Sequence, residues 1–278
     1  MVFPLRAAVP LLAALSFVLL GTPAHAAAPA YTALGDSYAS GTGTREYYDT
    51  TCQRSNSAYP KLDAARLGAT LTFAACAGAK IPAILIGQLG SLNADTRYVT
   101  VSAGGNDIGW SSVIVQCAKP WPYTCWGDID KAETYIRNTL PGQLDQLYTR
   151  IRALAANATV VVVGYPRLFN GEECNAIARI SPGEQAELNA AADLLATTTK
   201  ARATAHGFGF VDARGPFTGH AVCDDVEWIN GTSWPTGSPT TPTRPGTSGT
   251  RARWRPRCAP DVHRSVSSRR LVRPPERH

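Results

Sequence analysis

Tyr98-Val99-Thr100-Val101-Ser102-Ala103-Gly104-Gly105-Asn106-Asp107 runs from a short apolar stretch straight into a glycine-rich polar loop. A near-continuous apolar run of this length, rich in β-branched residues, fits a strand buried on both faces. Four similar runs lie at residues 31–35, 71–75, 159–164 and 208–211. Helical patterns separate them. Tyr135, Ile136, Leu140, Leu144, Leu147, Ile151 and Leu154 recur at helical spacing before the fourth run. Before the fifth, Ser181 can cap a helix start, Pro182 takes the first helical position and Glu184 completes a capping box. Gly207, after His206, can end that helix in the left-handed conformation. Strands alternating with helices predict an α/β fold: a five-stranded parallel sheet between two helical layers. Sites in such sheets form beyond the carboxyl ends of the strands.

The ends of the chain read differently. Arg6, an apolar run over residues 7–20 and Ala24-His25-Ala26 have the pattern of an export signal cleaved after Ala26. That run is too short to span a bilayer, so no stable membrane insertion is expected. Export favours disulfides for Cys52, Cys76, Cys117, Cys125, Cys174 and Cys223, with Cys258 left over. Spacing alone leaves their pairing open. No CxxC or HxxxH spacing supports zinc.

The net charge of +6 could suggest a nucleic-acid partner, but its placement argues against one. From Pro235 to His278 there are ten Arg and no Lys, against only Asp261 and Glu276. That balance of +8 leaves −2 for everything before it. The domain reading is therefore a signal peptide at 1–26, a catalytic domain at 27–235 and an Arg/Pro-rich, disordered tail at 236–278.

Three loops at one sheet edge carry candidate chemistry. Ser37, in Gly35-Asp36-Ser37-Tyr38, follows the first strand and can project a hydroxyl over the rim. Taken alone, that segment reads as a turn or helix cap. After the third strand, two glycines permit close backbone approach, and Asn106 can aim an amide at a developing oxyanion. Gly78, after the second strand, can offer a backbone N–H. Asp36 and Asp107 read as turn-forming. Residues 117–125, with Lys119, Pro120, Trp121 and Pro122, read as a disulfide-closed surface loop.

Gly35-Asp36-Ser37, Gly78 and Gly104-Gly105-Asn106-Asp107 resemble, in order and spacing, the first three sequence blocks of the SGNH (GDSL) hydrolase family. Gly164-Tyr165-Pro166-Arg167 and Phe217-Thr218-Gly219-His220-Ala221-Val222-Cys223 resemble its secreted actinomycete lipase, esterase and phospholipase branch. The likeness covers residues 31–235 and implies a flavodoxin-like SGNH fold. It implies Ser37 as nucleophile, with the Ser37 and Gly78 amides and the Asn106 side chain as oxyanion donors. It also implies the bridges Cys52–Cys76, Cys117–Cys125 and Cys174–Cys223, and no cofactor.

The mechanism needs a histidine to take the Ser37 proton. The family supplies one in a His-Pro segment after the last strand, and counting on from Trp228, Asn230 and Pro235 places that position at Thr241. Threonine is no base at neutral pH. Read one base back, with suitable third bases, the codons of Pro239 to Thr247 spell Tyr-His-Pro-Asn-Gln-Ala-Gly-His, which is similar to the missing block. The tail thus reads as a frame change between Trp234 and Thr240. The other histidines fit a base poorly: His25 leaves with the signal, His206 ends a helix, His220 reads as structural, and His263 and His278 lie in the tail.

The expectation is a secreted, monomeric hydrolase of lipid or small-molecule carboxylic esters, acting through an acyl-serine. Two rivals stand beside it. One is a binding protein of the same fold, impaired by loss of the base. The other is a polyanion-binding protein using the Arg-rich tail.

Overall fold

A computed structural model describes residues 27–174 and 180–230. The expected signal segment and tail, with Thr241, Cys258, His263 and His278, lie outside the described residues, as does His25.

Five strands form one parallel sheet in the order β2-β1-β3-β4-β5: β1 Ala30–Gly35, β2 Thr70–Phe73, β3 Thr96–Ser102, β4 Thr159–Val163 and β5 Gly209–Val211. The order reverses beside β1, so β2 leaves to one side and β3 to the other. Such a switch point opens a crevice between the loops that follow β1 and β3.

Alternation along the strands divides the core in two. Leu34, Val99, Val101, Val160 and Val162 face the large layer built from α3 (Ile81–Gly87), α4 (Trp110–Cys117), α5 (Trp126–Asn138), α6 (Leu140–Leu154) and α7 (Pro182–Ala205). Tyr31 and Ala33 face the other way, packing with Ala64 of α2 (Tyr59–Leu67). The sheet is covered on both faces, unequally. Among the described residues, no helix is long and apolar enough to cross a membrane.

Local rules account for the helix ends. The Ser181 hydroxyl accepts from the Glu184 amide, and the Glu184 carboxylate accepts from the Ser181 amide, as the capping box predicts. Gly207 follows α7 with φ +68°. The periodic stretch before β4 forms two helices, α5 and α6, divided at Thr139. Pro141 explains the break: it lacks an N–H for a continuing helix but suits the first turn of a new one. The structure joins Cys52–Cys76, Cys117–Cys125 and Cys174–Cys223.

One glycine fixes how closely β1 and β3 meet. Gly35 has φ +127°, and a Cβ there would lie 2.4 Å from the Ser102 carbonyl oxygen. The backbone of β3 cannot yield to it. We expect Gly35→Ala to destabilise the protein by about 3 kcal/mol or more, against about 1 kcal/mol for Gly68→Ala. Gly68 also has positive φ, but open space surrounds it. Denaturant melts of the two variants measure the difference.

Candidate active site

The first loop is a strand-to-helix turn. Asp36 caps α1 (Ser37–Ser40), its carboxylate accepting from the Tyr38 amide at 3.0 Å. Ser37 is therefore the first helical residue, half-buried at the rim. The backbone beneath it is clamped on both sides. The Asp36 amide donates to the Ser102 carbonyl at 3.1 Å. Buried Gln88 accepts from the Gly35 amide at 2.8 Å and donates to the Gly35 carbonyl at 2.9 Å. One side-chain amide thus satisfies both backbone groups of Gly35 and leaves that residue no alternative register.

The third loop leans on the second. Asp107 accepts from the Ile81 amide at the start of α3 through both oxygens, at 3.0 and 3.2 Å. Asn106 donates one amide hydrogen to the Ala79 carbonyl at 3.0 Å. An Asn side chain has two such hydrogens. Fixing one fixes the direction of the other. Asn106 and Ser37 line the same open cleft of about 480 Å³, together with Asp36, Tyr38, Trp110 and Tyr165. Gly78 does not line that cleft. It stands one residue before Ala79, with φ +79° and no atom close to where a Cβ would be.

Tyr165, just beyond β4, joins the loops. Its hydroxyl donates to the Asp36 carboxylate at 2.5 Å and accepts from the Gly105 amide at 3.2 Å. Its ring lies edge-on to Tyr38 with centroids 4.9 Å apart. A Cβ on Gly105 would stand 3.2 Å from that ring, which explains the second glycine of the pair. On the far side, Arg167 makes a two-pronged pair with Asp193 of α7, and Arg214 bridges Asp193 and Asp212. These pairs hold the loop after β4 to α7, next to Pro166 and Ala192 of the cleft wall.

Neither described histidine lines the cleft. His206 follows α7 and pairs with Asp145 of α6 at 3.0 Å. The chain enters β5 from there, so His206 lies at the sheet edge opposite Ser37. His220 lies flat on Trp228, with centroids 3.7 Å apart and planes 2° apart, its Nδ1 held 2.8 Å from the Val226 carbonyl. Among the described residues, no group of three His, Cys, Asp or Glu converges to hold a metal ion.

Ser37 and Asn106 thus meet in one cleft at the switch point, on the sequence blocks expected to carry them. The family model for GDSL-like lipases and acylhydrolases matches residues 33–259. The chain belongs to that family. The Lipase 1 of Streptomyces coelicolor is 42% identical over 229 residues, spanning 81% of this chain and 84% of the relative. The crystal structure of an extracellular lipase from Streptomyces rimosus superposes with a TM-score of 0.76 at 39% identity, covering 80% of this chain and 96% of that one. Phospholipase A1 from Streptomyces albidoflavus gives 0.75 at 39% identity, covering 81% and 96%. Two residues that hold the cleft loops had no role in the sequence reading: Gln88, which it did not single out, and Tyr165, which it quoted only within the Gly164-Tyr165-Pro166-Arg167 block. Gln88 had no sequence signal, since a lone Gln at a helix end is unremarkable. Tyr165 had one: it sits directly after a strand, at the same rim as Ser37 and Asn106.

Burial raises the Asp36 carboxyl to about 7, with the Tyr165 hydroxyl and the Tyr38 amide pulling in the opposite direction. The folded state therefore binds a proton that the unfolded chain releases near pH 4. Stability contributed by that proton is complete below pH 4 and lost as pH rises to about 7, with a slope of at most about 1.4 kcal/mol per pH unit. We expect Asp36→Asn to flatten this part of the profile in urea melts run from pH 4 to 8. Tyr165→Phe should cost about 1–3 kcal/mol by stranding the Asp36 oxygen and the Gly105 amide.

Proposed function

We propose that Ser37 is the nucleophile of a secreted lipid-ester hydrolase. Its oxygen attacks the acyl carbonyl and forms an acyl-serine that water then cleaves. The observation that carries this reading is the sharing of one cleft by Ser37 and Asn106, each on a loop anchored by buried hydrogen bonds. As the first residue of α1, Ser37 has a backbone N–H with no partner within the helix, free to face a developing oxyanion. The Asn106 amide supplies a second donor and the Gly78 N–H, one loop over, a third. Trp110, Tyr38 and Leu195 give the cleft an apolar wall suited to an acyl chain. The substrates are acyl glycerols and phospholipids, a reading supported by relatives that are lipases and a phospholipase A1. Three disulfides and the leader pattern of residues 1–26 support export.

The base belongs at position 241. With Thr241 there, the chain as written is a strongly impaired enzyme that still binds ester. Two observations favour this: neither described histidine lines the cleft, and threonine cannot take the Ser37 proton. Chemistry without the base is limited to roughly 10³–10⁴ over the uncatalysed rate, from donors and binding alone. We expect the frame-restored chain to turn over a nitrophenyl butyrate at least about 10³-fold faster than the chain as written. Equal rates would mean that another group serves as base. An intact single frame in the coding DNA, confirmed by the mass of the secreted protein, would end the frame-change reading.

In the active form, a fluorophosphonate probe should label the parent and not Ser37→Ala. Asn106→Ala should lower kcat by about 10²–10³ while leaving KM nearly unchanged, because its amide acts on charge that exists only in the transition state. Labelling that persists in Ser37→Ala would move the nucleophile elsewhere.

A further inference from the structure

Four large apolar side chains between Val115 and Trp126 stand in water: Val115 is 55% exposed, Trp121 89%, Tyr123 60% and Trp126 43%. Single exposed apolar residues are ordinary on protein surfaces, but a cluster of this size marks a contact site. Mobility does not account for the exposure. The Cys117–Cys125 bridge closes the loop, and the Cys125 amide donates to the buried Glu184 carboxylate at the start of α7. Beneath it, Val113, Ile114 and Ile129 are already packed in the core. The tip is a turn in which the Tyr123 amide donates to the Pro120 carbonyl at 3.2 Å, and prolines on both sides hold Trp121 outward.

The composition selects the partner. Tyr and Trp pair an apolar ring with a polar edge and settle at the boundary between hydrocarbon and water. Lys119 is the only charged residue from Ser111 to Gly127, and its ammonium lies 5.6 Å from the centre of the Tyr123 ring. A lysine on a long apolar stem beside an aromatic ring suits lipid phosphates above an acyl layer. The patch also runs on from the cleft. α4 begins with Trp110 and Ser111 in the cleft lining, and Ser111, Val115 and Lys119 follow at intervals of four. The eight residues of α4 span only about 12 Å.

We infer that the loop closed by Cys117 and Cys125 is the lipid-surface anchor of this enzyme, seating the Ser37 cleft against aggregated ester substrate. The inference rests on the ester-hydrolase reading and specifies how its substrate is presented. Seating on a bilayer or micelle removes the exposed rings from water and brings packed acyl esters to the cleft mouth without full extraction.

The test uses the full chain carrying Ser37→Ala, so that binding is read without hydrolysis. It is pelleted with vesicles of phosphatidylcholine containing a minor share of phosphatidylglycerol. We expect it to sediment with the vesicles and its tryptophan emission to shift to the blue. Adding Trp121→Ala and Tyr123→Ala should weaken vesicle binding about tenfold or more. Trp121→Ala alone, at the most exposed position, should do so in part and guards against misfolding of the double variant. Turnover of a dispersed nitrophenyl ester, measured in the frame-restored chain with Ser37 intact, should be unchanged by these loop substitutions. No sedimentation of the Ser37→Ala chain, or sedimentation unaffected by the loop variants, overturns the inference. So does a dimer in sedimentation velocity that the loop variants dissolve, which would assign the patch to a second copy. Vesicle binding without any Ser37-dependent turnover in the frame-restored chain would instead keep the anchor and remove the catalytic reading.

Discussion

The site depends on one buried hydrogen bond, from the Tyr165 hydroxyl to the Asp36 carboxylate. Three strands end within reach of that oxygen pair. Asp36 follows β1, Tyr165 follows β4, and Gly105, which donates to the same hydroxyl, follows β3. Strands in a parallel sheet fix the starting points of their loops to within the sheet's own spacing, but not where those loops go next. A single phenol that both donates and accepts does fix it, because it is satisfied only when all three loops hold their places. The surroundings make the bond costly to break. Asp36 is almost fully enclosed, and a buried carboxyl without its donor loses far more than a surface one. Gln88 applies the same logic one residue earlier, at Gly35.

Much of the fold was legible because it is written in local patterns. The five apolar runs became β1 to β5 with ends shifted by one or two residues. The capping box at Ser181 and Glu184 formed as its spacing dictates. These features depend on residues within a turn of one another, so a window of sequence contains their cause. The division at Thr139 was also local, since Pro141 stands in plain view, yet the run of Leu140, Leu144 and Leu147 masks it. Periodicity reports which face is buried and is silent about whether the axis continues.

The site was legible where chemistry and local turn coincide, and not where it depends on distance in the chain. Ser37 and Asn106 each follow a strand directly, in a short polar loop whose glycines and side chains suit a reacting centre. Gln88 and Tyr165 lie 53 and 129 residues from the groups they hold. Nothing near them in sequence records those partners. Asp107 lies between these cases: it reads as turn-forming, and its carboxylate does hold a helix start, but the helix is α3 and not its own neighbour. For Gly78 the turn is in place, whereas its part in the cleft rests on the family pattern rather than on a contact.

Charge near Ser37, the proposed nucleophile, links these constraints to chemistry. A negative carboxylate one residue from Ser37 would oppose the oxyanion that the reaction must build. Burial answers this by favouring the neutral acid, and the Tyr165 proton spreads what charge remains. The two effects pull the Asp36 proton in opposite directions yet serve the same end, a turn whose electrostatics change little when substrate excludes the last water. Asn106, the proposed oxyanion donor, follows the same rule from the other side. Its amide is aimed before substrate arrives, because the Ala79 carbonyl already holds one of its hydrogens. A donor that need not reorient stabilises developing charge most, since the cost of ordering it was met when the chain folded. What the described residues lack is a histidine in the cleft. Asn230, the last described residue, donates from its side chain to the Gly43 carbonyl just after α1.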